Sequence, residues 1–198
     1  MGEKYTTQTA TIQAFGLVLK ALHYEDLPSL LQGRNREDVR NAMPIENEVS
    51  YRSLYFWYKK QEHSLRTYSY LAYANQTPIA FTALTDIDYR ARRAEGGLFV
   101  FDDQYQATGM AYHIILCREI IMDYLKIETL ISRIRRENSR SIKFCESYGS
   151  KFVRCEGNML IYASERNVRR RALKRIATLA KLEQDFQTYL EGGEKICY

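Results

Sequence analysis

The change of side-chain period around Gly109 limits what this chain can fold into more than any other feature. From Ala94 to Asp102 the residues, Leu98, Phe99, Val100 and Phe101 among them, suit a strand. Past Gly109, Ala111, Ile114, Ile115, Ile121, Met122 and Leu125 recur on one face of a helix. A strand, a loop and a helix in that order leave unpaired N–H groups and a partial positive charge at the helix start. Gln106-Ala107-Thr108-Gly109-Met110-Ala111 puts small residues there, so a diphosphate can approach the backbone closely. The segment is not a P-loop, because no Gly-Lys-Ser/Thr follows, and it lacks the spaced glycines of a dinucleotide fingerprint. Taken alone, a glycine before a helix is also ordinary turn chemistry.

The remaining elements follow from pattern. Ala10–Leu22 reads as a first strand, and residues 25–32 as a helix stopped by Gly33. Glu48–Gln61, with Leu54, Trp57 and Tyr58 at helical spacing, reads as a second helix. Thr67–Ala74 and Ile79–Asp86 are β-rich runs joined by the turn signal Asn75-Gln76-Thr77-Pro78. Glu128–Ile134 is a strand, Arg140–Tyr148 a short helix closed by Gly149, and Phe152–Cys155 with Met159–Ala163 a final strand pair. A basic amphipathic helix is expected from Glu165 to about Leu190, with Leu179, Leu182, Phe186 and Tyr189 on one side. Strands and helices interleaved in this way predict an α/β (α+β) fold: a mixed sheet with helices on its faces, undivided by any linker.

At 198 residues the chain suits one domain with a real core, and no apolar run approaches the roughly 18–20 residues that span a bilayer. Met1 to Thr11 lacks the apolar stretch of a secretory signal, so the expected compartment is the cytoplasm. Met1-Gly2 with Thr6 matches a myristoylation pattern only in its shortest form. Scattered cysteines at 117, 145, 155 and 197 read as reduced and mostly buried, and His23, His63 and His113 share no ligand spacing with them, so no metal is expected. Of the net charge of +5, much lies in Arg166, Arg169, Arg170, Arg171, Lys174, Arg175 and Lys181, with no acid between Arg166 and Lys181. That stretch is an arm for an anionic partner such as ribosomal RNA, a helix packed on a second subunit in a homodimer, or a solvated face of its own domain.

Gln106-x-x-Gly109-x-Ala111 resembles the pyrophosphate motif of the GNAT acetyltransferases. Leu84-Thr85-Asp86-Ile87-Asp88, Arg92-Arg93-Ala94-Glu95 and Gly97 resemble the third and fourth strands of one branch of that superfamily. The branch acetylates ribosomal-protein N-termini and also includes amino-sugar N-acetyltransferases, among them those of the pseudaminic acid pathway. Gly33-Arg34-Asn35 with Val39-Arg40, and Trp57-Tyr58, are similar to its first two helices; Asn138, Ser141-Ile142 and Glu146 to Gly149 are similar to its second cofactor-binding helix. The matched blocks run over roughly residues 14–163. The resemblance implies a mostly antiparallel sheet of about six to seven strands, splayed between its fourth and fifth. It also implies an acetyltransferase domain over residues 1–163, with residues 164–198 as a basic C-terminal helical extension.

Carried over by position, the resemblance implies acetyl-CoA as cofactor. Backbone groups at Phe99, Val100 and Phe101 hold the pantetheine arm and polarise the thioester carbonyl, in the manner of an oxyanion hole. Gln106, Ala107, Thr108, Gly109, Met110 and Ala111 take the pyrophosphate, and Asn138 and Ser141 lie along the cofactor. Glu95 is the candidate base for the amine, acting through water, and is alternatively a salt-bridged strand glutamate. The family tyrosine that protonates the leaving thiolate falls, four residues before Gly149, on Cys145. Cys145 is then the acid or a small buried residue; Tyr148 or Tyr112 takes its place, or the thiolate leaves unaided. Ala107 stands where a glycine is common, and an ordinary backbone conformation is expected there. Arg34, Asn35 and Trp57 are candidate acceptor-binding residues, although Arg34 and Asn35 also read as caps of the preceding helix. The acceptor is expected to be a small-molecule amine, most of all an amino-sugar nucleotide. A protein N-terminus is the second reading and a binding module of weak activity the third; no membrane partner is expected.

Overall fold

The computed structural model describes residues 11–179 and 196–197. Its strands are β1 (Thr11–Ala14), β2 (Leu17–Ala21), β3 (Tyr68–Ala74), β4 (Thr77–Asp88), β5 (Arg93–Val100), β6 (Thr129–Arg135), β7 (Lys151–Glu156), β8 (Met159–Glu165) and the two-residue β9 (Ile196–Cys197). Its helices are α1 (Leu27–Asn35), α2 (Glu37–Ala42), α3 (Tyr51–Gln61), α4 (Met110–Tyr124), α5 (Ser139–Ser147) and α6 (Arg166–Leu179). All described strands share one sheet in the order β7-β8-β6-β5-β4-β3-β2-β1-β9. Every pairing is antiparallel except β5 with β6.

That exception shapes the molecule. β5 and β6 pair only through Arg93↔Thr129, Ala94↔Leu130 and Glu95↔Ile131, and β5 continues to Val100 with no described strand on that side. The sheet is therefore splayed, with the vertex at Glu95. Alternate strand residues face opposite cores on the two sides of the sheet. One core gathers Tyr70, Ala80, Leu84, Ala94, Leu130, Cys145 and Tyr148 against α4, which is buried all round from Ile114 to Met122. The other gathers Leu71, Phe81, Ala83 and Phe101 under α1, α2 and α3.

Four expectations change in detail. The segment expected as one strand is a hairpin from Thr11 to Ala21: Phe15 and Gly16 take φ of 52° and 73°, a tight turn that pairs Ala14 with Leu17. Gly33 does not stop its helix. It lies inside α1, where a Cβ would sit 2.4 Å from Phe101 Cγ, so close packing rather than termination requires the glycine. Arg34 and Asn35 consequently belong to the last turn of α1 instead of following its end. A further short helix, α2, fills the segment after Arg36.

The C-terminal helix is bound into the fold. Arg169 is buried against Glu119 of α4 (Nε–Oε1 2.8 Å) and donates to the Ser164 and Glu128 carbonyls. Arg166 bridges Asp123 and Glu128, and Arg170 pairs with Asp123. Ala172, Leu173 and Ala177 are buried beside them. Leu182, Phe186, Tyr189 and Lys181, like Met1, Gly2 and Thr6, lie outside the described residues.

Candidate active site

The foot of α4 presents open backbone amides. Gly109 caps it at φ 88° with no side-chain cap bond, and Ala107 takes φ 58°. Alternating handedness of this kind turns successive N–H groups inward, a concavity suited to anions. Among the described residues no acceptor occupies the five successive amides from Ala107 to Ala111; the first bonded one is Tyr112 N, to Gly109 O at 2.8 Å. The left-handed Ala107 overturns the ordinary conformation expected there. Thr108 Oγ1 donates to Tyr105 O (2.8 Å), and Gln106 Nε2 to Asp38 Oδ2 (2.5 Å) and Val100 O (3.3 Å), which pins the loop to α2 and to β5. Burial pushes the Asp38 carboxyl up, but the Gln106 and Arg36 bonds outweigh it and leave it below the usual range. Arg36 ties α1–α2 to the same loop through Asp103.

Phe99, Val100 and Phe101 lie at the end of β5 beyond the vertex, where its edge is free, although the Phe101 amide is spent on Ile79 O (3.0 Å). Across the gap, Asn138 caps α5: its Oδ1 accepts from Ser141 N (3.0 Å) and its amide donates to Ala42 O (3.4 Å). Arg135 of β6 pairs with Glu46, so α2 and the chain after it bridge the open end of the splay.

Glu95 stands at the vertex on the α1–α3 face, with Arg133 Nε 2.6 Å from its Oε2. Arg133 pairs on its other side with Glu156. On the opposite face Cys145 Sγ and Tyr148 Oη are 3.1 Å apart, both buried, and both bond with the Ser132 hydroxyl of β6. Burial pushes the Cys145 thiol up and the Tyr148 phenol up to about 12. Tyr112 is engaged elsewhere, with Ser147 Oγ at 3.0 Å and the Phe144 ring.

On the α1–α3 face, Trp57, Phe81, Phe99 and Phe101 form a chain of ring contacts with successive centroids 6.2, 5.3 and 6.1 Å apart. Asn35 exchanges two 2.8 Å bonds with the Val49 backbone, and Arg34 Nη2 donates to Ile45 O (2.6 Å), so both hold the segment before α3. Arg34 Nη1 and Arg40 Nε are nonetheless buried donors without partners among the described residues, and the two guanidiniums lie close enough for Arg40 to lower the pKa of Arg34, after the larger effect of burial.

Sequence reasoning missed Arg118. This α4 residue is 3% exposed, and its Nη1 lies 3.4 Å from Gly97 O beneath the splay. The signal was an Arg-Glu pair inside the apolar run Ile114–Met122. Among the described residues no group of three or more His, Cys, Asp or Glu side chains is placed to hold a metal, and no helix is long and apolar enough to cross a membrane.

A splayed mixed sheet with an open helix start beside the gap defines an acetyltransferase-type fold, and comparison with known proteins agrees. The family model for the acetyltransferase (GNAT) domain matches residues 16–151, and the chain belongs to that family. The structure is similar to spermidine N-acetyltransferase from Vibrio cholerae in complex with CoA and spermine, at TM-score 0.67 and 20% identity over 78% of this chain and 98% of that one. It is also similar to FdhC, a nucleotide-linked sugar GNAT (TM-score 0.70, 15% identity, 87% and 97% covered). A third similar structure is the ribosomal L7/L12 alpha-N-protein acetyltransferase RimL in complex with coenzyme A (TM-score 0.66, 15% identity, 78% and 97% covered). No curated protein matches the sequence.

Proposed function

We propose that the chain is an acetyl-CoA-dependent N-acetyltransferase that passes its acetyl group directly to a primary amine on a small anionic acceptor of the amino-sugar nucleotide type. The observation that carries this reading is the row of open amides from Ala107 to Ala111 beside the gap between β5 and β6. The bound coenzyme supplies an acetyl group activated as a thioester. Gln106 and the amides of Ala107, Thr108, Gly109, Met110 and Ala111 hold its diphosphate, with Asn138 and Ser141 along the far side. The free edge at Phe99 and Val100, with the Phe101 backbone beside it but its amide held by Ile79, takes the arm and polarises the carbonyl, a donor fixed in advance where negative charge develops.

The amine enters from the α1–α3 face, over Trp57 and its neighbouring rings. Its nitrogen bonds to the acetyl carbon, and its proton passes through water to Glu95, whose Oε1 has no partner among the described residues. The carbon–sulfur bond breaks with its electron pair on sulfur, toward the Cys145–Tyr148 pair on the opposite face. The orphaned donors of Arg34 and Arg40 favour an acceptor that carries negative charge over a polycation. We assign the catalytic unit to residues 1–163, with residues 164–198 as its C-terminal extension, and the cytoplasm as its compartment.

The test is turnover of acetyl-CoA, read as release of free thiol, against amino-sugar nucleotides, free amino sugars, polyamines and peptides with free N-termini. Preference for the nucleotide-linked amines is the expected result. Preference for polyamines or peptides overturns the acceptor assignment, and no turnover with any amine overturns the transferase reading.

A further inference from the structure

Arg118 has no place in the scheme above, and its surroundings call for an anion. Its guanidinium is buried, and among the described residues it has no carboxylate partner. The neighbouring Glu119 is taken by Arg169. Among the described residues Arg118 Nε has no hydrogen-bond partner, and Nη1 has a single 3.4 Å bond to Gly97 O, an acceptor already served by Thr82 Oγ1 at 3.0 Å. An unpaired buried cation is among the costliest groups a fold can hold. The sheet makes room for it. A Cβ on Gly96 would lie 3.1 Å from Arg118 Nη1 and 2.7 Å from Leu130 Cδ1, so glycine one residue past the vertex leaves room for the guanidinium against β5 beside Leu130 of β6, at the α4 face of the opening.

We propose that Arg118 is the cation that takes up the charge of the departing coenzyme sulfur, so that the thiolate leaves as an ion pair and no proton donor is needed. The proposal rests on the reading that the thioester lies in the β5–β6 gap. When the carbon–sulfur bond breaks, both electrons stay on sulfur, the amine proton leaves by Glu95, and the sulfur is protonated after release.

The other groups on that face are Cys145, Tyr148 and Ser132, with Glu146 bonded to Tyr162 behind them and the Glu119–Arg169 pair beyond. Arg118 lies near enough to lower the pKa of both Cys145 and Tyr148, against the larger upward push of burial. Burial leaves both of these protons harder to remove than in water, while a guanidinium stays charged throughout.

The experiment is calorimetric titration of coenzyme A into the protein near pH 7.5, in buffers of different ionisation enthalpy. This counts the protons released on binding, and desulfo-coenzyme A sets the background. In the native protein the bound thiol should ionise with a constant at least about tenfold above that of the free thiol, one pKa unit or more. Arg118→Met should abolish the release while binding desulfo-coenzyme A as before, and Arg118→Lys should keep much of it. Equal release from native protein and a folded Arg118→Met variant overturns the proposal. So does an absence of sulfur-dependent release from the native protein, which decides the matter even if the variant does not fold. Failure of the native protein to bind coenzyme A at all is a separate result, and it removes the coenzyme reading together with this one.

Discussion

Ala107 holds a left-handed conformation that disfavours any side chain, at φ 58°, in the loop whose amides face the proposed diphosphate. A non-glycine residue there costs roughly 1–2 kcal/mol, against about 0.4–1 kcal/mol of extra chain entropy that a glycine loses on folding. Ala107→Gly should therefore raise unfolding stability by up to about 1 kcal/mol in urea titrations. A loss of stability would mean that the loop conformation is wrong. Tyr148 gives a prediction in pH. Burial raises its phenol to about 12, so the folded state favours the neutral form. Its contribution is fully present below the unfolded value of about 10 and is lost as pH rises through about 12. Tyr148→Phe should flatten the fall of stability in that window by about 1.4 kcal/mol per pH unit, measured by denaturation at several alkaline pH values. An unchanged slope would place the phenol in contact with solvent.

At the scale of elements, α6 makes the firmest prediction. Removing one member of a buried ion pair strands the other, which typically costs about 3–5 kcal/mol. Arg169→Met should cost that much, and the double change with Glu119→Leu should recover most of it, read by chemical denaturation. Equal losses in the two proteins would show that the pair does not hold α6. The long elements were legible in the sequence because each has one dominant period: β4 and β5 alternate between two cores, and α4 carries apolar residues at helical spacing over most of its length. The missed ones depended on backbone sign and on contacts distant in sequence. Nothing local shows that Phe15 adopts positive φ and splits the first strand, nor that Gly33 serves the approach of Phe101. The candidate site divides along the same line. The open helix start follows from local pattern, whereas the Glu95–Arg133 and Cys145–Tyr148–Ser132 groupings depend on which strands become neighbours.

For the whole molecule, the parallel contact between β5 and β6 is what joins these parts. It is three residues long and flanked by long antiparallel ladders, so the sheet opens on one side of Glu95 and nowhere else among its described pairs. The helices after β5 and β6 start on the same side of that opening, which brings the amides of Ala107 to Ala111 and the Asn138 cap to its two lips. The charge distribution follows the same plan: Arg166, Arg169 and Arg170 pair with carboxylates of α4 and of the chain leading into β6, while Arg34, Arg40 and Arg118 have no carboxylate partner among the described residues. The measurement that bears most directly on this account is a calorimetric comparison of coenzyme A with pantetheine, which has the same thiol arm but no diphosphate. Coenzyme A should bind with a dissociation constant of about micromolar order, near −8 kcal/mol, and pantetheine at least about 100-fold more weakly. Equal affinities, or no heat from coenzyme A at about millimolar concentration, would contradict the claim that the amides opening α4 hold its diphosphate.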